Sequence, residues 1–216
     1  MVPTVSIGVA EALNQHSISR RSVLRSGVAA GSTALLPLVT VSCSTSLPSA
    51  PLVLTPELNA LLDAFADRII PPDGNGPGAA ASGVSRYINR SLAEWNQTDV
   101  PLLSGGLLAL DAAAQRLHGL PFGMASAEQQ DELLMAMEAG QLAGFDNAQA
   151  VFNRLYRLVL EGMFSDPFYG GNANYAGWDL IGYPGAVLGS TADMQKMGGR
   201  LPALHTSAYG EQHDGH

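Results

Sequence analysis

Cysteine is nearly absent from the sequence, which contains only Cys43. A single cysteine excludes an intrachain disulfide and a thiolate metal cluster, so packing alone is expected to stabilise the fold. Basic residues are also scarce: from Ser44 onwards the chain has eight basic and 18 acidic residues, a net charge of −10. This balance argues against nucleic-acid binding, for which a basic patch is expected, and disfavours electrostatic adhesion to anionic lipid.

The motifs that hold common cofactors and nucleophiles are missing as well. The chain has no Cys-x-x-Cys-His for covalent haem, no Gly-x-Gly-x-x-Gly after a strand, no Walker loop and no Gly-x-Ser-x-Gly elbow. The sequence therefore predicts no catalytic, cofactor-binding or metal-binding residue in this chain. After Val41, no apolar run is long enough to span a bilayer.

A few isolated polar residues are weak candidates for chemistry. Asp63 and Asp67 lie four residues apart beside an apolar helical stripe, and we interpret them as a solvated edge. Asp166 precedes Pro167, where an aspartate typically orders a turn; the alternative is a proton-transfer role in an autonomous hydrolase. A weak metal site at residues 213–216 (HDGH) is likewise an alternative to a frayed polar terminus.

What the chain does contain is an export signal near its N-terminus. Two adjacent arginines, Arg20 and Arg21, precede the apolar pair Val23 and Leu24, and a moderately apolar stretch of 15 residues, 27–41, follows. This order is the layout of a secretory signal, and the arginine pair indicates twin-arginine (Tat) export. A membrane span needs about 20 predominantly apolar residues, so a retained anchor is the less favoured alternative.

The end of the signal is less sharply marked. We assign the signal peptide to residues 1–43, and Cys43 follows Val41 and Ser42 as the lipidated cysteine of a bacterial lipoprotein does. Thr40, however, stands where such a site usually has leucine. Two interpretations stay open: Cys43 is lipidated and becomes the mature N-terminus, or it is lost with the signal or left idle in a linker.

Apolar residues recur at helical spacing through most of the remaining chain, and no sustained period-two alternation is present. The predicted fold class is therefore all-α, a single compact domain of about five helices over residues 55–190 with a long Gly/Pro/aromatic C-terminal loop. Residues 44–54 contain proline and serine and precede this domain as a linker. Residues 191–216 follow it as a polar C-terminal tail.

Local signals place the individual helices. The first begins at Thr55, a hydroxyl N-cap followed by proline at the first helical position. The second carries an apolar stripe over residues 84–95, and the third starts near Pro101. The fourth opens with a capping-box pattern at residues 126–129. The fifth, residues 147–163, is apolar over most of its circumference and is expected to be the central helix.

Residues 165–190 are rich in glycine, proline and aromatic residues. A loop this long without regular structure is usually functional or disordered, and large aromatic side chains at this density argue against disorder. The segment is either a lid that closes the helical core or a protein-binding surface, since Trp and Tyr are typical of interface hot spots. The candidate partner-binding residues are Phe168, Tyr169, Trp178 and Tyr183; we expect Phe168 and Trp178 to point inward and Tyr169 or Tyr183 outward.

Two runs in this segment carry a family resemblance. The sequences MFSDPFYGGN at residues 163–172 and GWDLIGYPG at 177–185 resemble the C-terminal motif of the gluconate 2-dehydrogenase subunit 3 family. The sequence RIIPPD at residues 68–73 resembles the N-terminal half of that family, so the likeness spans about residues 55–190. Residues 80–82 (AAS) are unusually small for the family, which leaves any contact role there unassigned.

The resemblance implies a non-catalytic small subunit of a periplasmic, membrane-associated dehydrogenase of sugars, sugar acids or polyols. In that family a large flavoprotein subunit binds FAD and oxidises the substrate, and a multihaem cytochrome c subunit, where present, passes electrons to quinone. FAD and haem c are thus expected in partner subunits and no cofactor in this chain.

The small subunit would support maturation and Tat export of the flavoprotein, with the Tat translocon as a further partner. The alternative functions are an autonomous periplasmic enzyme, such as a hydrolase, and a scaffolding lipoprotein.

Overall fold

The computed structural model describes residues 52–187, 189–196 and 201–210. Its helices, in chain order, are α1 (Pro56–Ile69), α2 (Gly78–Ala81), α3 (Val84–Glu94), α4 (Val100–His118), α5 (Ala127–Glu138), α6 (Ala148–Phe164) and α7 (Ala176–Ile181). Short 3₁₀ turns lie at Gln97–Asp99, Phe122–Met124, Pro167–Tyr169 and Ala173–Tyr175.

The described residues form no β-strand, so the predicted all-α class is confirmed. The five long helices lie where the sequence predicts them. Two short helices, α2 and α7, have no counterpart in the sequence prediction, and α7 lies within the segment predicted to be an irregular loop.

The predicted export and processing residues lie outside the described part of the chain. They are Arg20, Arg21, Val23, Leu24 and Cys43, and residues 213–216 of the candidate metal site are also outside it. Among the described residues, none of the helices combines the length and the apolarity that a membrane crossing requires.

The helix starts predicted from capping residues are confirmed. The Thr55 hydroxyl accepts a hydrogen bond from the Leu58 amide at 3.3 Å, at the start of α1. At α5 the Ser126 hydroxyl accepts from the Gln129 amide at 3.3 Å, while the Gln129 side chain accepts from the Ser126 amide at 2.9 Å. Each cap satisfies amides that have no partner within the helix and typically contributes about 1 kcal/mol.

Helix α6 is the centre of the packing, as its apolar circumference predicts. It contacts α1, α3, α4, α5 and α7. The residues that it buries are Ala148, Val151, Phe152, Leu155, Leu158, Val159, Gly162 and Met163. Gly162 and Met163 near its C-terminal end are buried, and Gly162 lies against Val84 and Tyr87 of α3, so the residues that follow α6 start from a packed helix end.

The last residues of the predicted linker belong to the helical domain. Leu54 is buried in the core, and the amides of Val53 and Leu54 both donate to the Asn89 side-chain oxygen at 3.0 Å. The Asn89 amide group in turn donates to the Asn59 side chain at 2.6 Å. Asn89 thus satisfies the backbone of the chain entering α1, and the packed domain begins before Thr55.

The interpretation of Asp63 and Asp67 as a solvated edge is wrong. The Asp67 carboxylate accepts a hydrogen bond from the Ala80 amide at 2.8 Å and so anchors α2 on α1. Asp63 is half-buried, and this burial raises the pKa of its carboxyl group, with Asp67 adding to the rise and a hydrogen bond from Ser85 opposing it. Among the small residues 80–82, only Ser82 is buried, and Ala81 is exposed.

Two adjacent glycines in α4 have opposite surroundings. Gly106 is buried, and a Cβ there would overlap the Val151 side chain of α6, whereas a Cβ at the exposed Gly105 would meet nothing within 4 Å. The close approach of α4 to α6 therefore requires glycine at position 106 only.

We expect Gly106→Ala to lower the free energy of unfolding by about 1–3 kcal/mol, the usual cost of overpacking. The matched variant Gly105→Ala should instead raise it by up to about 1 kcal/mol, because alanine is the better helix former. Denaturant unfolding of the mature domain measures both. Equal effects of the two substitutions would contradict the packing described for α4 and α6.

Candidate partner-binding surface

The segment after α6 is ordered by hydrogen bonds to the end of that helix. The Asn172 side chain donates to the Ser165 carbonyl at 2.8 Å and accepts from the Gly177 amide at 2.8 Å. The Trp178 indole N–H donates to the Phe164 carbonyl at 3.0 Å. We call these three hydrogen bonds the α6 clasp. Two of them satisfy carbonyls at the helix end that lack intrahelical partners, and the third holds the start of α7.

Glycine at position 177 permits the clasp to close. A Cβ there would overlap the carbonyl oxygen of Met163 near the end of α6. The first turn of α7 can therefore approach α6 closely only with glycine at this position. Residues of the C-terminal motif thus have a structural role: Asn172, Gly177 and Trp178 dock α7 onto α6.

The four candidate partner-binding residues divide into buried and exposed members. Trp178 is only 4% exposed, as expected, and Tyr183 is 44% exposed and points outward. The expectation for Phe168 is wrong, because its side chain is 37% exposed. Tyr169 beside it is half-buried. Phe168 and Tyr183 are therefore the members of this set that are available to a partner.

Phe168 is turned outward by contacts with α3. The Arg90 guanidinium lies 5.1 Å from the centre of the Phe168 ring and donates to the Phe168 carbonyl at 2.6 Å. Arg90 also pairs with Glu94 at 3.0 Å, which fixes the guanidinium in place. The cation over the ring and the hydrogen bond to the backbone together fix the position of Phe168.

Phe168 belongs to a continuous row of aromatic rings. It stacks on Tyr209 with ring centres 4.5 Å apart and meets Tyr169 edge-on at 5.4 Å. Tyr169 contacts Trp95 at 6.0 Å, and Trp95 contacts the buried Tyr87 at 6.2 Å. Sequence reasoning missed Tyr209, which lies in the predicted polar tail, and treated Trp95 as the end of a core stripe although it is 45% exposed.

Two tyrosines of this row have shifted pKa values. Burial, with the neighbouring Glu161 carboxylate, raises the pKa of Tyr87 to about 12, and Tyr87 donates to Glu161 at 3.2 Å. A hydrogen bond with the Tyr209 hydroxyl, at 2.8 Å, raises the pKa of Tyr169. Both shifts favour the neutral phenol, which is the form that can donate a hydrogen bond.

Asp166 orders the turn at the start of the aromatic segment, as the sequence predicts. Its carboxylate accepts a hydrogen bond from the Phe168 amide at 3.0 Å. It also accepts from the Ser207 hydroxyl at 2.7 Å and from the Ala208 amide at 2.9 Å. Through these three hydrogen bonds, the Asp166 carboxylate joins the turn at Phe168 to the segment around Ser207.

A cleft of about 290 Å³ lies beside these residues. It is lined by Phe164, Asp166, Trp178, Ile181, Tyr183, Ala186 and Ala208. In α7, Ile181 of this lining is 57% exposed, and the adjacent Leu180 is 41% exposed. Aromatic and aliphatic side chains on a rigid backbone beside a cleft are suited to docking of another protein.

Within the part of the chain that the structure describes, no three His, Cys, Asp or Glu side chains form a group that could hold a metal ion.

Comparison with known proteins connects this region to a family. Residues 56–185 match the model of the family described as gluconate 2-dehydrogenase subunit 3. The match includes α1 to α7 of the described part of the chain and ends at Gly185, the last residue of the C-terminal motif. No curated protein and no solved structure matches the chain.

The α6 clasp can be tested with two asparagines that share a backbone conformation. Asn172 and Asn174 both have positive φ, at 48° and 54°. Asn172 is fully buried with its side chain hydrogen-bonded, while Asn174 is exposed. We expect Asn172→Ala to cost about 1–3 kcal/mol more than Asn174→Ala, because it leaves a buried amide and a partly buried carbonyl unpaired. Thermal or denaturant unfolding checks this, and equal costs would show that the clasp does not stabilise the domain.

Proposed function

We propose, since the chain belongs to the gluconate 2-dehydrogenase subunit 3 family, that it is the non-catalytic small subunit of a periplasmic, membrane-associated dehydrogenase. The complex would oxidise a sugar, a sugar acid or a polyol, with FAD in its large subunit and haem c in a cytochrome subunit where one is present. In this proposal the chain binds the flavoprotein subunit, supports its maturation and accompanies it through the Tat translocon.

The observation that carries the proposal is the exposed aromatic surface within the matched residues. Phe168 and Tyr183 are exposed, and the neighbouring Leu180 and Ile181 extend the apolar area along α7. These side chains lie on backbone that is held by the α6 clasp and by Arg90. A surface that is already ordered loses little conformational entropy when it binds, which favours specific association.

The export signal supports the same function. The chain cannot form an intrachain disulfide, because Cys43 is its only cysteine, and its sequence shows no cofactor motif. It therefore has little need of a route that carries folded cargo. A flavoprotein that acquires its FAD before export does need such a route, so the signal at Arg20 and Arg21 is best explained if it serves a bound partner.

The hydrolase alternative receives less support from the geometry. Its main candidate, Asp166, accepts three hydrogen bonds that hold the turn at Phe168 and the segment around Ser207. The aromatic rings near it, Phe168, Tyr169 and Tyr209, pack against one another.

The lipoprotein alternative depends on Cys43, and mass spectrometry of the mature N-terminus is the test of its lipidation.

Shared export gives the first test. We expect the double variant Arg20→Lys, Arg21→Lys to leave both this chain and the flavoprotein in the cytoplasm, because the partner would have no export signal of its own. Cell fractionation with immunodetection of both subunits measures this, and Arg157→Lys in the mature domain is the control. Export of the flavoprotein while this chain stays in the cytoplasm would refute shared transport.

Binding by the aromatic surface gives the second test. We expect Phe168→Ala and Tyr183→Ala each to weaken association with the purified flavoprotein by roughly 30-fold, the effect of losing an interface hot spot of about 2 kcal/mol. Tyr156→Ala is the matched control, because Tyr156 is a comparably exposed aromatic residue on α6, at 40%. Titration calorimetry measures the affinities. Unchanged affinity in both variants, with the wild-type chain binding, would exclude this surface.

A further inference from the structure

Residues 201–210, which the sequence assigns to a polar tail, run back over the aromatic segment. The Leu204 amide donates to the Pro184 carbonyl at 2.7 Å, and the Ala186 amide donates to the Thr206 carbonyl at 2.7 Å. These contacts place Thr206 in a parallel bridge with Gly185. We call residues 201–210 the strap; its backbone pairs with the extended backbone that follows α7.

Side chains fasten the strap at three points. Ser207 and the Ala208 amide bind the Asp166 carboxylate, as described above. His205 lies 2.7 Å from the Asp179 carboxylate of α7. Tyr209 stacks on Phe168 and shares a hydrogen bond with Tyr169. The strap therefore covers one face of the Phe168 ring, which is part of the proposed docking surface.

The strap is attached by hydrogen bonds and by ring contacts of Tyr209 and His205, without a buried apolar side chain of its own. Among residues 201–210 only Ser207 is buried, and Leu204 and Tyr209 are 40% and 57% exposed. The helices, by contrast, are held by fully buried apolar side chains such as Leu155 and Leu158. Segments with few buried apolar contacts open locally at a lower free energy than the core does.

The position that receives the strap lies in the family-matched region, and the strap lies beyond it. The match ends at residue 185. Gly185 leaves room for the strap, since a Cβ there would come within 2.8 Å of the Thr206 amide nitrogen. Apart from Ala186, the residues that receive the strap lie within the match, and the strap itself lies beyond it.

We propose that residues 201–210 form a displaceable strap that covers the Phe168 end of the docking surface in the free subunit and is released when the flavoprotein binds. The identity of the partner rests on the proposed function. A partner that engages Phe168 competes with Tyr209. The affinity of the full chain is therefore the affinity of the open form multiplied by the fraction of molecules in which the strap is open.

The first experiment compares the full mature chain with a chain that ends at Arg200, by titration calorimetry against the purified flavoprotein. A strap that is open about a tenth of the time predicts roughly tenfold tighter binding by the truncated chain. Ser207→Ala, which removes a hydrogen bond to Asp166 and leaves the chain length unchanged, should shift the affinity in the same direction by less. Tyr156→Phe on α6 is the control. Equal or weaker binding by the truncated chain overturns the proposal.

The second experiment needs no partner. Hydrogen exchange on the free mature chain should show the amides of Ala186, Leu204 and Ala208 exchanging by local opening, well before the amides at the centre of α6. Protection of these three amides equal to that of α6 would also overturn the strap. If neither chain length binds the flavoprotein, the proposed function fails and the release step fails with it, whereas binding without a gain on truncation refutes the strap alone.

Discussion

The α6 clasp is the constraint on which the candidate surface depends. A helix end carries carbonyls without intrahelical partners, and here Asn172 and Trp178 provide donors to the carbonyls of Ser165 and Phe164. Because Asn172 also accepts from the Gly177 amide, the same side chain fixes the start of α7. The direction of the chain after α6 follows from these hydrogen bonds, and Arg90 adds the contacts that position Phe168.

The clasp also separates two roles within one sequence motif. The buried residues of the motif, Asn172, Gly177 and Trp178, determine how α7 packs on α6. The aromatic residues Phe168 and Tyr183 of the same motif are exposed at the surface. A fixed surface of this kind is suited to binding, because rigid aromatic side chains lose little conformational freedom on association.

The sequence predicted the features that depend on local signals and not those that depend on distant contacts. Caps and apolar periodicity located α1, α5 and α6, because both signals lie within each helix. Helix α7 has six residues and begins after Tyr175 at a φ of 60°, so its stability comes from the clasp and leaves no periodic pattern. The outward position of Phe168 depends on Arg90, 78 residues away, and the strap depends on Asp166, 41 residues from Ser207. Such pairings are set by tertiary structure.

The central claim is that this chain docks onto a flavoprotein through the surface that the clasp holds in place. Hydrogen-exchange mass spectrometry of the chain alone and in its complex tests it most directly. The account predicts that complex formation slows exchange in peptides covering residues 164–187 and leaves peptides of α5 unchanged. Slower exchange in α5 with no change over residues 164–187 would contradict it.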